Sequence, residues 1–241
     1  MSTRSQFSSQ EIQALRERAS EAWIEQVPED TAEGWSKSPV DLSGVVAVFP
    51  GLCIKPGFVL RAYQYLERRD GNGVVWAMPE DLPFPEPEEC PTTDPPRPSG
   101  ALDDVMEAIE GDGSPLSYLY ASVLWRELME FGAVGHGVYW DTFDILGHDP
   151  WADPHRPRPA STSPTEGPTG TPDEWEWLEP KPLEWSPTVS MDGDEVSVVF
   201  HTFSGLGSQR IVRHVDRYKL GSYCFRTDEQ VVASGPGGYV I

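Results

Sequence analysis

Residues 57 to 78 read GFVLRAYQYLERRDGNGVVWAM. Gly57 to Leu66 and Val74 to Met78 are rich in the β-branched and aromatic residues of strands. Asp70-Gly71-Asn72-Gly73 between them supplies residues that tolerate positive φ. The pattern predicts a β-hairpin over 58–78, with its turn around Asn72, the single asparagine of the chain. An isolated hairpin is marginal in water, so these strands need further partners.

The C-terminal segment offers them. Residues 195 to 241 read as a β-meander, with strands over Val196 to Phe203, Arg210 to Tyr218 and Ser222 to Arg226. Gly205-Leu206-Gly207 and Leu220-Gly221 mark the turns, and Gln230 to Ala233 adds a short fourth strand. A cover for such a sheet lies in the middle of the chain. Ser114 caps a helix, Pro115 takes its first position, and Gly132 stands just past its end at Phe131. That helix is apolar nearly all round, which marks it as buried. An amphipathic helix is also expected from Ser9 to Gln26, opened by a Ser8/Glu11 capping box and ended by Pro28. Ala101 to Glu110 reads as a short helix, and Val45 to Phe49 as a buried strand.

These elements predict an α+β fold: a mainly antiparallel sheet, built from hairpin 58–78 and meander 195–241, packed against a buried central helix 115–131. One domain over 1–241 is expected, with proline-rich acidic excursions at 79–100 and 150–187. The alternative is two domains, 9–153 and 172–241.

Charge is unevenly spread. The formal net charge is −21. Residues 80 to 112 hold eleven Asp or Glu against Arg97, and residues 173 to 195 hold eight against Lys181. Most prolines lie in or beside the same stretches, where they prevent regular helix or sheet interior. The acid therefore belongs on surface chain outside the core, and it gives a strong local negative field. Such a field opposes nucleic acid and anionic membrane surfaces. No apolar run approaches the roughly 18 residues of a membrane span. Met1 to Gln10 lacks the apolar stretch of a secretory signal. Cys53, Cys90 and Cys224 are odd in number and widely spaced, as expected of reduced thiols in a cytoplasmic protein.

Candidate chemistry is sparse. No HExxH, GxSxG or GKS/T sequence occurs. His201 and His214 lie on adjacent strands. If Phe203 pairs with Ser208, both project to one side of the sheet but about 13 Å apart along it, too far to share a metal ion. The same register places Arg213 opposite Val198, on the apolar face formed by Val196, Val198, Phe200, Ile211 and Val215. There it needs a carboxylate or carbonyl partner. Gly135-His136-Gly137, followed by Trp140, Asp141 and Trp151, could line a pocket with a titratable centre. Trp175 and Trp177 share one face of an extended segment, which can cover a sheet edge or clasp a ligand.

The function expected from these residues is non-catalytic: an inhibitor, immunity or adaptor type of protein that presents acidic loops to a basic partner. Glu86, Glu88, Glu89, Arg213 and Trp140, Trp151, Trp175 and Trp177 are the candidate contact residues. The competing expectation is a small enzyme or small-molecule binder, with a pocket near 135–151 and His136, Asp141 and His214 as acid–base groups. No cofactor and no metal are expected.

Overall fold

A computed structural model describes residues 2–24, 33–68, 70–87, 94–135, 138–152 and 167–238. The fold is α+β and mainly antiparallel, as the sequence predicts. Its contacts sort the chain into two compact units, each described on its own. One comprises Ala14–Trp140 with Gly221–Cys224, the other Met1–Gln13, Asp141–Leu220 and Phe225–Ile241.

The first unit holds the hairpin. Strands β4 (Phe58–Glu67) and β5 (Asp70–Pro79) pair in full register from Phe58↔Pro79 to Glu67↔Asp70, and β2 (Gly34–Lys37) adds to the other edge of β4. The turn is tighter than expected. It falls at Arg68, which takes a positive φ of 58°, so Asp70 to Gly73 belong to the strand. Gly71 and Gly73 serve a close approach instead. Gly71 bridges to Val134 through two backbone hydrogen bonds of 3.0 and 3.1 Å. A Cβ on Gly73 would stand 2.4 Å from the Phe131 carbonyl oxygen.

Helix α3 (Pro115–Met129) begins as predicted: the Ser114 hydroxyl accepts the Ser117 amide, and Pro115 occupies the first turn. Tyr118, Leu119, Ala121, Val123 and Leu124 are all buried. The helix packs on β5 and on β3 (Leu52–Ile54).

Two expected elements are corrected here. Val45 to Phe49 is not a strand, because α2 (Leu42–Ala47) runs through it, capped by the Asp41 carboxylate on the Ser43 amide. Leu42, Val45, Val46 and Phe49 are buried at the i, i+3, i+4, i+7 spacing of a helix face. Ala101 to Glu110 is not a helix either. Asp104 caps a single 3₁₀ turn at Val105–Ala108, after which β6 (Ile109–Gly111) leaves extended to pair with β3.

The second unit is a seven-stranded antiparallel sheet. Its order is β1 (Thr3–Gln6), β9 (Thr188–Asp192), β10 (Glu195–Ser204), β11 (Arg210–Lys219), β12 (Phe225–Ser234) and β8 (Glu176–Trp177). β7 (Phe143–Leu146) also pairs with β10, beyond the end of β9. The meander is present, but the strands expected at 222–226 and 230–233 are one strand, β12, and hairpin and meander do not share a sheet, which corrects both expectations. Each finds its own partners: β2 for the hairpin, and β1, β7, β8 and β9 for the meander. Helix α1 (Ser9–Ile24) opens with the Ser8 hydroxyl accepting the Glu11 amide, the expected cap.

The close approach at Gly73 carries a prediction. Gly73→Ala is expected to destabilise the chain by about 2–3 kcal/mol, since a backbone carbonyl cannot retreat from the new methyl. Gly44→Ala, on α2 with nothing within 4 Å of its would-be Cβ, is expected to stabilise by up to about 1 kcal/mol. Urea unfolding of both variants checks the pair; equal effects would contradict the packing account.

Candidate functional site

The register of β10 on β11 decides where the titratable side chains go. Ser204 pairs with Arg210 across a five-residue loop, 205–209, so His201 faces Arg213 and Phe200 faces His214. The expected pairing of Phe203 with Ser208 is therefore corrected by an odd number of residues. An odd shift turns one strand's side chains over relative to the other's. His201 and His214 consequently project from opposite faces of the sheet rather than from one. Among the described residues no group of three or more His, Cys, Asp or Glu is placed to hold a metal ion.

On one face, β10, β11 and β12 bring Thr202, His214 and Glu229 into a chain. The Thr202 hydroxyl lies 2.8 Å from His214 Nε2, and His214 Nδ1 lies 3.0 Å from Glu229 Oε1. The imidazole stacks on Phe200, with ring centroids 4.7 Å apart, and meets Phe143 edge-on. With Nδ1–H donated to the carboxylate, Nε2 accepts the hydroxyl proton, the order used to activate a nucleophile. Thr202 is 0 % exposed, however, so no substrate atom reaches its oxygen in this conformation. Thr142 and Ser204 hydroxyls, 2.9 Å apart, continue the buried polar row.

On the other face, Arg213 leaves the position expected for it opposite Val198. It donates to the Gln230 side-chain oxygen at 2.5 Å, and Gln230 in turn donates to Glu179 at 2.6 Å. The partner of the half-buried guanidinium is thus an amide tied to a carboxylate. His201 lies beside it, under the Trp185 ring at 5.6 Å. Burial, and then the Arg213 charge, push His201 down to about 4, so the ring is neutral at pH 7.

The remaining candidates are scattered. His136, Glu88 and Glu89 lie outside the described residues. Asp141 is exposed. Trp140 is 5 % exposed: its indole N–H donates to Glu127 at 2.7 Å, and Arg16 covers its ring at 4.3 Å. Arg16 also donates to Glu127 at 2.8 Å, a buried pair that the sequence reading did not anticipate. Glu86 is exposed and pairs with Lys37 at 2.8 Å. Trp175 is buried with Trp185, Phe203 and Ile211, while Trp151 and Trp177 are half-buried against that cluster. The tryptophan segment therefore covers the sheet.

The acidic stretches are exposed in both units. In 80–112 every described carboxylate except Asp104 is exposed; in 173–195 every one except Glu179 and Glu184 is. Pairs such as Glu86–Lys37 and Arg97–Asp103 occupy few of them. Compared with known proteins, the chain matches no family model, no curated sequence and no solved structure.

The buried imidazole of His201 predicts an acid-sensitive fold. In the unfolded chain it takes a proton near 6.5; in the fold it does so only near 4. Its contribution is complete above about pH 6.5 and is lost as pH falls toward 4, by about 3 kcal/mol in all. Urea unfolding at pH 7 and pH 4 should show His201→Gln losing about 3 kcal/mol less than the wild type over that interval. Equal losses would mean the ring is not held neutral.

Proposed function

We propose that this chain is a non-catalytic binding protein whose exposed carboxylates engage a basic protein partner. The observation that carries the reading is the exposure of almost every described carboxylate in 80–112 and 173–195. Exposed like charges on one molecule repel, and opposite charge on a partner relieves that repulsion while raising the encounter rate. The described irregular chain at 80–87 and 94–98 suits presentation: Tyr63 donates to the Pro85 carbonyl at 2.8 Å and stacks on Phe84, and Trp76 donates to the Pro96 carbonyl at 2.9 Å. These side chains pin both pieces to the hairpin and leave Glu80, Asp81, Glu86 and Asp94 exposed. Hairpin and meander lie in separate sheets, so the acid is exposed within each unit rather than on one common sheet.

The same charge argues against nucleic acid as partner. Among the described residues, no helix is long and apolar enough to cross a membrane. A cytoplasmic setting is part of the proposal, supported by the free thiols Cys53 and Cys224.

The experiment compares the wild type with a variant in which Glu80, Asp81, Glu86, Glu107, Glu110 and Asp112 become their amides. Immobilised wild type is expected to retain proteins of high isoelectric point at about 50 mM salt and to release most of them at about 300 mM. The amide variant is expected to retain at least about tenfold less, as befits loss of several charge contacts. Partners that are not basic, or that persist unchanged in high salt and on the variant, would overturn the reading.

A further inference from the structure

Lys181, the lone cation of the second acidic stretch, sits in a built site. Its ammonium lies 5.5 Å from the Trp151 ring centroid, 5.8 Å from that of Trp177, and 2.7 Å from Asp149 Oδ2. Two indole faces and a carboxylate around one ammonium form the arrangement that recognises alkylammonium cations.

The walls do not depend on the lysine. All three indole N–H groups donate to backbone carbonyls of one short segment: Trp175 to Thr169 at 2.9 Å, Trp151 to Gly170 at 3.3 Å, and Trp177 to Pro172 at 3.2 Å. That segment is itself anchored, for the buried Gln209 side chain accepts the Thr169 amide at 2.8 Å. Trp175 backs Trp151 edge-on at 5.2 Å and lies so close over Gly235 that a Cβ there would come within 2.3 Å of the ring. Trp151 and Trp177 meet at 5.8 Å and 63°. Asp149 is positioned by its other oxygen, which accepts the Trp151 amide at 3.0 Å. The π faces therefore stay in place whether or not a cation stands between them.

The occupant is held more loosely. Lys181 is flanked by Pro180 and Pro182, its side chain is 39 % exposed, and Leu183 two residues on is fully exposed. We propose that Asp149, Trp151 and Trp177 are a binding site for an alkylammonium group, and that Lys181 is its tethered competitor. A cation from solution takes the place of the lysine ammonium, which swings into water on its four-carbon stem. A tethered group competes at an effective concentration in the millimolar range, so removing it tightens binding of the free cation. The inference is independent of the acidic-loop reading, since none of its residues is among the carboxylates neutralised above.

The test is a tryptophan-fluorescence titration with tetramethylammonium chloride, against sodium chloride at matched ionic strength. Lys181→Ala and Lys181→Gln are expected to give a saturable change at a concentration at least about tenfold lower than the wild type. Adding Asp149→Asn to either is expected to weaken that binding at least about tenfold. A trimethyl-lysine peptide run beside tetramethylammonium tells whether the cation is best supplied on a side chain or free. If both Lys181 variants are folded by circular dichroism and neither responds beyond the sodium chloride control, the proposal fails. The wild type gives a second reading that needs no variant. Proton NMR of the Lys181 ε-methylene should show an upfield, ring-shifted position that moves to that of free lysine as tetramethylammonium is added. A resonance that does not move would likewise overturn it.

Discussion

Pairing of Ser204 with Arg210 across the 205–209 loop is the constraint on which the chemistry of the large sheet depends. A strand alternates its side chains, so the count of residues in one loop sets the parity of every pair along two ten-residue strands. With five residues in the loop, His214 joins Thr202 among buried neighbours and His201 joins Arg213 and Trp185. Four residues, or six, would interchange the faces of β11 against β10. The loop is held to this length by contacts distant in sequence. The Gln209 amide donates to the Gly237 carbonyl, its own carbonyl accepts the Gly235 amide at 2.8 Å, and its side chain reaches Thr169 and Pro236. One buried glutamine thus joins the β10–β11 loop, the end of β12 and the segment that seats the tryptophans.

This explains which parts of the molecule were legible beforehand. The hairpin strands and α3 announce themselves locally, the former through β-branched and aromatic residues and the latter through Ser114-Pro115 and a mainly apolar stretch. The meander's first two strands were equally clear, but their register was not, because Gln209 carries no signal until Gly237 and Thr169 are beside it. α2 was hidden by its own composition: five consecutive apolar residues read as a strand unless Leu42 and the capping Asp41 are counted with them. The glycines around Asn72 misled in a similar way. Their lack of a side chain suggested a turn, whereas the close passage of Phe131 to Val134 is what requires it. Exposure of the acid was readable from composition, since prolines and carboxylates both oppose burial.

Separation of hairpin and meander changes what the charge can do. Carboxylates on one rigid platform would present a fixed pattern to a partner, and such a pattern can select by geometry as well as sign. The described carboxylates instead stand partly on short strands and turns, such as Glu110 on β6 and Glu176 on β8, and partly on irregular chain such as 80–87, which Tyr63 ties down. Under the proposed reading, charge arranged in that way would favour steering and tolerance of sequence in a partner over a precise fit. Affinity then has to come from buried contacts, of the kind that aromatic side chains supply.

The direction of burial along the Thr202–His214–Glu229 chain is the reverse of that in a hydrolytic triad. A hydrolytic triad keeps its carboxylate buried and its hydroxyl open to substrate, since the acid must orient the imidazole in a dry setting while the oxygen must reach a carbonyl. Here the gradient runs the other way: the Glu229 side chain is 42 % exposed, His214 is 2 % exposed, and Thr202 is sealed. The network satisfies polar atoms that the pairing of β10 with β11 has placed in the interior, which an unpaired imidazole could not tolerate cheaply. Lys181 follows the opposite pattern, with its polar head at the surface between preset walls. A polar group whose partners are complete and sealed holds a fold together, whereas one whose partners are preset and open can be exchanged for another.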